Sequence, residues 1–271
     1  MGCLEVSVDL GFLGGGKMAS AIFDGLRSNE DQLNCACAVY EPNQEVANIW
    51  ESKGAKILSS DRELFEASKW LVWAVKPQIF RQQKEYFETL KFLGEGMISV
   101  MAGISSAEIE SLFSNAAVVR TMPNTPLMLK RGMVGMAKGS KVVDAQMEFV
   151  ASLFAPVAKT LVVDESQIDG VTAVSGSGPA YIFYLAECLM KQSQNINLKP
   201  EELIMLWSQT LRGAADMLEH SGMQAGQLRE QVTSPGGTTQ AALESMMSDD
   251  LGQKFTEGVL AAYRRSLELS Q

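Results

Sequence analysis

One histidine, His220, and four cysteines are all that 271 residues offer of the side chains that most often bind metals or act as nucleophiles. His220 stands in a helix-end context, where a histidine is ordinarily a surface group beside the last carbonyls. Cys35 and Cys37, separated only by Ala36, have neither the density of a disulfide framework nor the spacing of a zinc site. No metal is expected, and a reducing compartment fits best. Cys188, in an apolar run, reads as a core residue rather than a nucleophile. Positive charge is also scarce. Lys and Arg number 23 against 32 Asp and Glu, a formal net charge of -9, which argues against nucleic acid as a partner. No apolar run approaches the ~20 residues of a membrane helix, and Asp9 follows Met1 too closely for a signal peptide. The start Met1-Gly2-Cys3 carries Val6 where a myristoylation motif needs Ser or Thr. The expectation is a cytoplasmic protein. Internal repeats and low-complexity segments are lacking too.

What is present is 46% hydrophobic and 20% charged residues, enough for one large or two ordinary domains with real cores, which excludes a disordered or fibrous chain. From Leu4 to about Val163 short apolar runs alternate with helical patterns, the signature of βαβ units and a parallel sheet. Strands are expected over Val6–Leu13, Cys35–Tyr40, Ala55–Leu58, Trp70–Val75, Met97–Met101 and Val118–Met122. Met18, Ala21, Ile22, Gly25 and Leu26 lie at helical spacing between the first two, and Ser105 with Glu108 forms a capping box for a helix after the fifth. A run at Val134–Lys138, a helix over Asp144–Phe154 and a strand-like Thr160–Val163 close this half. After Asp164 the segments are long and rich in Ala, Leu, Met and Glu. Pro179–Met190 is apolar nearly all round and needs burial on every side, more than a small domain can supply, so a second subunit is expected against it. The expected class is α/β: an N-terminal Rossmann-like dinucleotide-binding domain over residues 1–163 and a C-terminal all-helical domain over residues 164–271.

Gly14-Gly15-Gly16-Lys17-Met18-Ala19 sits between the first strand and the first helix and matches G-x-G-x-x-A. The first glycine permits the tight turn, the second lets a pyrophosphate approach the backbone, and Ala19 allows close packing of helix on strand. Unpaired N–H groups at the helix start would face the phosphates, with Lys17 placed to add charge. The ribose-reading position at the end of the second strand is Glu41, whose carboxylate suits a 2′-hydroxyl and repels a 2′-phosphate, favouring NAD over NADP. Lys76-Pro77, Ala102-Gly103 and Pro123-Asn124-Thr125-Pro126 end later strands and should line the same crevice. In the second half, Ser175-Gly176-Ser177-Gly178-Pro179 and Val232–Thr239 each lead into a helix. Their glycines and hydroxyls could gather N–H and O–H donors around a carboxylate without an arginine.

Taken in order, Gly11–Ala19, Ala74-Val75-Lys76-Pro77, Met122–Pro126, Ser175–Ala180 and Ser234–Thr239 resemble the motifs of the Δ1-pyrroline-5-carboxylate reductase family over essentially the whole chain. The resemblance implies reduction of pyrroline-5-carboxylate to proline by NADH or NADPH. It also implies a homodimer through the helical domain that often assembles further into a decamer. It places cofactor contacts on Leu13, Gly14, Gly15, Gly16, Lys17, Met18, Glu41, Asp61, Ala74, Val75, Lys76, Pro77, Ala102 and Gly103. Substrate contacts fall on Ser177, Gln231, Gly236, Gly237, Thr238 and Thr239, with Thr239 a hydrogen-bond or proton donor near the imine nitrogen. The chain departs from the family pattern in having Glu41 for a small hydroxyl residue, Lys17 for an amide, Asp61 for an Asn, Gln231 for a shorter Asn and Ala225 for a frequent proline.

Hydride transfer to a protonated imine needs alignment and exclusion of water rather than a dedicated base, which agrees with the shortage of histidine. Two rival readings remain. A related imine or hydroxyacid reductase should carry a catalytic Lys or Asp in Val171–Tyr184, which has neither. A non-catalytic dinucleotide-binding regulator would have no use for the Ser234–Thr239 loop.

Overall fold

The short apolar runs of the first half become strands, the central ones covered on both faces, in a computed structural model that describes residues 8–28 and 35–270. The expected start of the first strand at Val6, and Cys3 with the Met1-Gly2 terminus, lie outside the described residues. β1 (Val8–Leu13), β2 (Cys37–Tyr40), β3 (Lys56–Ile57), β4 (Ser68–Trp73), β5 (Gly96–Ser99), β6 (Ala117–Pro123), β7 (Gly132–Lys138) and β8 (Ala158–Val162) form one sheet in the order β3-β2-β1-β4-β5-β6-β7-β8. All neighbours are parallel except β6 and β7. The order reverses between β1 and β4, the switch point at which open α/β sheets bind ligands.

Between the strands run α1 (Lys17–Arg27), α2 (Gln44–Ser52), α3 (Asp61–Ala67), α4 (Pro77–Gln82), α5 (Lys84–Phe87), α6 (Ser106–Leu112) and α7 (Asp144–Phe154). The capping box on α6 forms as the sequence implies, with Ser105 Oγ accepting from Glu108 N and Ser105 N donating to Glu108. Successive strand residues feed opposite faces. Leu10, Phe12, Trp70 and Val72 join Phe23 and Trp50 in one core layer, and Leu13, Leu71 and Trp73 join Phe65, Phe80 and Phe87 in the other. Two strands end earlier than the apolar runs suggest. β5 stops at Ser99 because its hydroxyl takes the Met101 N–H, and β4 stops at Trp73, freeing Ala74 and Val75 for the turn that starts α4.

The change of composition at Asp164 and the boundary between packing units fall at different places. One unit comprises residues 1–177 and 262–271, the other Gly178–Ala261. Residues just beyond Asp164 stay on the sheet because Glu165 accepts from the Ser106 N–H (2.7 Å), the Ser106 hydroxyl and the buried Arg120 (3.2 Å), while Ile168 packs with Met122 and Ala137. α8 (Ile168–Val171) then runs into a π-turn over Thr172–Gly176. The second unit contains α9 (Gly178–Met190), α10 (Ser193–Ile196), α11 (Pro200–His220), α12 (Ala225–Gln231), α13 (Thr238–Ser248) and the start of α14 (Leu251–Leu269). The last turns of α14 belong to the first unit: Ser266 and Ser270 hydroxyls donate to the buried Asp169 carboxylate at 2.5 and 3.0 Å. Among the described residues no helix is long and apolar enough to cross a membrane.

Candidate active site

The glycine turn leaves β1 at the switch point and is fixed from three directions. Gly14 has φ +96°, a conformation only glycine adopts without strain, and a Cβ there would stand 3.0 Å from the Ala74 carbonyl. Its N–H donates to the Tyr40 carbonyl at 3.0 Å, while Ala74 N–H donates to Leu13 O, so the ends of β1, β2 and β4 meet at this residue. Gly15 is held on both sides. Its N–H donates to Glu41 Oε2 at 2.8 Å and its carbonyl accepts from the buried Trp50 indole N–H at 2.9 Å. A Cβ on Gly15 would meet Trp50 Nε1 at 2.8 Å. Trp50 is in turn stacked on Phe23, with centroids 4.8 Å apart, and packed on Phe12 at 5.0 Å. Carbonyl and N–H point opposite ways across a planar trans peptide. The indole that draws the Gly15 carbonyl inward therefore turns the Gly16 N–H outward. Gly16 is the N-cap of α1, no side chain caps that helix, and a Cβ at Gly16 would meet nothing within 4 Å.

The other positions expected around a cofactor gather at the same edge of the sheet. Glu41 follows β2 and also accepts from Asn43 N–H at 2.9 Å, so both carboxylate oxygens are held by backbone. The Gly15 N–H is paired with Glu41, because the carboxylate lies directly beside the turn, so the N–H groups without a side-chain cap are those of the helix start itself. Lys17 is exposed and Met18 half-buried at the start of α1. Ala74 and Val75 flank Gly14, with Lys76 the N-cap of α4 and Pro77 its first residue. Ala102 and Gly103 follow β5. Gly103 has φ +70° and its carbonyl accepts from Arg81 Nη2 at 2.9 Å, the same nitrogen that donates to Leu269 O at 2.6 Å. Asp61 opens α3 and accepts the Tyr86 hydroxyl at 2.6 Å, which pushes the Tyr86 phenol up to about 12.

Sequence reasoning missed Trp50 and Arg81. An indole donor beneath the turn is separated from it by 35 positions, with no periodic signal to connect them. It also missed what Asn124 does: Nδ2 donates to the Ser175 carbonyl and hydroxyl at 3.3 and 3.2 Å, and Oδ1 accepts from Met133 N–H, fixing the π-turn that ends at Ser177.

In the second unit, the Val232–Gly237 loop joins α12 to α13 and is shaped by its own backbone. Gly237 N–H donates to Ser234 O at 3.0 Å, Gly236 has φ +70°, and its N–H donates to Gln240 Oε1 at 2.7 Å. Gly237 is the N-cap of α13, no side chain caps it, and Thr238 and Thr239 form its first turn. Gln231, at the end of α12, is exposed with its amide on Met223 Sδ at 3.4 Å.

The glycine cradle, the open helix start and the carboxylate beyond β2 fit a nicotinamide dinucleotide: Cβ atoms would fill the turn at Gly14 and Gly15, and α1 presents uncapped N–H groups. Such a cradle at the switch point of a doubly wound sheet, with a helical unit after it, defines a two-domain dinucleotide-dependent oxidoreductase. Residues 9–103 match the family described as NADP oxidoreductase coenzyme F420-dependent, and residues 165–269 match Pyrroline-5-carboxylate reductase dimerisation. The chain is 34% identical to a pyrroline-5-carboxylate reductase of Arabidopsis thaliana over 98% of this chain and 96% of that one. It is likewise 34% identical to that of Pseudomonas aeruginosa, over 97% of each. The solved pyrroline-5-carboxylate reductase of Coxiella burnetii superposes with a TM-score of 0.83 at 32% identity, covering 98% of this chain and 99% of that one. A Plasmodium falciparum pyrroline carboxylate reductase with NADP bound gives 0.80 at 27%, covering 97% and 100%. The chain belongs to the pyrroline-5-carboxylate reductase family.

Proposed function

We propose that this chain binds NAD(P)H at the glycine turn and reduces 1-pyrroline-5-carboxylate to L-proline, the last step of proline synthesis. The observation that carries the cofactor half is the clamped Gly15 peptide, which aims the Gly16 N–H out of an uncapped helix start. The family supplies the substrate, and the Gly236-Gly237-Thr238-Thr239 helix start is the chain's own feature suited to its carboxylate.

Residues Leu13 to Met18 and Ala74 to Pro77 cradle the pyrophosphate, Glu41 and Asp61 lie toward the adenosine, and Ala102 and Gly103 border the nicotinamide. The cofactor supplies the hydride. Gly236 and Gly237 shape the loop, their N–H groups bonded to Gln240 and Ser234, so that the uncapped start of α13 offers the Thr238 and Thr239 N–H groups and the Thr238 hydroxyl to the substrate carboxylate, with Gln231 as a flanking polar contact. Thr239 directs its hydroxyl at the ring nitrogen, donating to it in the neutral imine and accepting from the N–H of the protonated one, which holds the ring in one orientation. A protonated imine is already electrophilic, so alignment and exclusion of water are what the protein contributes.

Glu41 supports a preference for NADH. Its two oxygens are fixed by Gly15 and Asn43 N–H groups, so the charge cannot swing away from a 2′-phosphate, whereas a 2′-hydroxyl can still donate to it. A homodimer through the helical unit, able to assemble into a decamer, is supported by α9, none of whose residues is buried although its mean composition is strongly apolar. The exposed Leu161 and Val162 of the edge strand β8 add to the surface available for another copy. A cytoplasmic location, with neither nucleic acid nor membrane as partner, completes the reading.

The test is oxidation of NADH and NADPH by the purified chain on addition of pyrroline-5-carboxylate, with proline measured as product. Proline formation above a no-enzyme control is expected. Its absence from folded protein that binds either cofactor overturns the substrate assignment.

A further inference from the structure

The start of β2 carries a pair of thiols that the reduction reaction does not use. Residues two apart in an extended segment point to the same side, so Cys35-Ala36-Cys37 presents both sulfurs on one face, with Sγ atoms 3.8 Å apart. Cys35 is half-buried and lies just before the strand, whereas Cys37 is 5% exposed and packed in the core. The Ala36 N–H between them donates to Asp9 Oδ2 at 2.8 Å, which holds the intervening peptide. Two extended residues span at most ~7 Å, and a disulfide accepts Cα separations up to about 6.8 Å. Closing the pair therefore asks only for a small contraction at the strand's free end.

We infer that Cys35 and Cys37 form a dithiol modification site that reacts with small disulfides by thiol–disulfide exchange, Cys35 attacking and Cys37 resolving. The roles follow from access. An external disulfide can reach Cys35 but not the buried Cys37, and exchange requires the three sulfurs to lie nearly in line. With Cys37 Sγ on the inner side of Cys35 Sγ, the outer side is left for the incoming molecule. The charges facing the pair are Arg27 and Asp9, of opposite sign. The Cys37 S–H donates to Cys35, which holds the Cys35 thiol below its usual range and keeps Cys37 protonated until its turn. In the first step the Cys35 thiolate bonds to one sulfur of the external disulfide, whose S–S bond breaks to release a thiolate that takes a proton from water. In the second, Cys37 gives up its proton to water and bonds to Cys35 Sγ, breaking the mixed disulfide and releasing a second thiolate. The pair loses two electrons and the external disulfide gains them. No cluster of three or more His, Cys, Asp or Glu that could hold a metal occurs among the described residues, so the pair is not part of a larger metal site there.

The probe is glutathione disulfide, applied to the full chain, with free thiols then alkylated and located by peptide mass mapping. Wild type should lose both the Cys35 and Cys37 thiols while retaining no glutathione on either. The same protein reduced and unfolded in denaturant, where all four cysteines are accessible, serves as the reference for complete alkylation. Cys37→Ser should trap glutathione on Cys35, and Cys35→Ser should leave Cys37 unmodified. Thermal melting and NADH titration confirm that both variants are folded. Three results would overturn the proposal: both thiols retained in wild type, glutathione retained on Cys35 there, or Cys35 pairing with Cys3 instead.

Discussion

In the first unit Trp50, Trp73, Phe12, Phe23, Phe65 and Phe80 are all buried around the sheet, whereas in the second, among the described residues, only Leu203 and Leu228 are buried. Phe183 and Tyr184 on α9 are each 65% exposed there, and Ile204, Met205 and Leu206 on α11 also face outward. The two loops proposed to bind ligand reflect this. The glycine turn rests on side chains from α2 and on the ends of three strands. The Ser234–Thr239 loop is shaped by hydrogen bonds within its own few residues. On the function proposed above, the first site is scaffolded by its own sheet, while the second, on helices with unburied apolar faces, would take walls from another copy.

The largest effect should come from attacking the exposed apolar surface of the second unit. Phe183→Asp should weaken self-association by at least about a hundredfold, since each buried Phe contributes roughly 1.5–3 kcal/mol and a twofold interface counts it twice. Light scattering across a concentration series, with activity measured alongside, is the check. A wild-type chain that is an active monomer at micromolar concentration would show that the exposed helical surface does not bind a second copy.

Thr239→Val separates chemistry from packing within the second unit. Losing one hydrogen bond to a charged group should cost about 1.5–3 kcal/mol, a tenfold to hundredfold fall in kcat/KM for the imine, with NADH binding unchanged. If the variant instead only melts earlier and keeps its kinetics, Thr239 is a helix-start residue and nothing more. In the first unit, Glu41→Ser should raise the NADPH to NADH ratio of kcat/KM about tenfold, as one fixed negative charge is removed from beside a phosphate. An unchanged ratio means that Glu41 does not read the ribose.

Trp50→Phe keeps the aromatic stack on Phe23 but removes the donor to the Gly15 carbonyl. Net loss of about 1 kcal/mol should raise KM for the cofactor roughly fivefold while kcat at saturation holds. A fall in kcat with KM unmoved would show that the indole acts elsewhere. The smallest effect is a titration. The phenol of Tyr86, bonded to Asp61, has a folded value of about 12 against an ordinary 10.0. The bond's stabilisation is therefore complete below pH 10.0 and lost as pH rises through about 12. Asp61→Ala should return the Tyr86 ionisation, followed by ultraviolet absorbance, toward its ordinary value.

The sequence made the sheet legible because both faces of its central strands are covered, so they appear as nearly unbroken apolar runs between helical patterns. The glycine turn was legible too, since the steric demand at Gly14 leaves a glycine wherever it occurs. Strand ends were harder to place. Ala74, Val75 and Met101 are apolar yet lie in turns, and their partners, Leu13 O for the Ala74 N–H and Ser99 Oγ for the Met101 N–H, are fixed by tertiary structure. The packing boundary at Ser177 was hidden for a similar reason. Glu165 opens the stretch that matches the dimerisation family, yet its carboxylate is bonded to Ser106 and Arg120 of the sheet unit, pairings that no local pattern announces.

Because Ala262–Gln271 rejoins the first unit, Gly178–Ala261 is topologically an insertion rather than an appendage. The chain departs from the sheet and comes back to it, and the returning end is latched at two places. Arg81 ties the Leu269 carbonyl to the turn at Gly103, and Asp169 holds Ser266 and Ser270. A single cut after Ser177 would thus not liberate an intact nucleotide-binding half. It would leave a buried carboxylate without its two hydroxyls and an arginine gripping one carbonyl instead of two, so damage to the last turn of the chain should be felt at the edge of the sheet beyond β5.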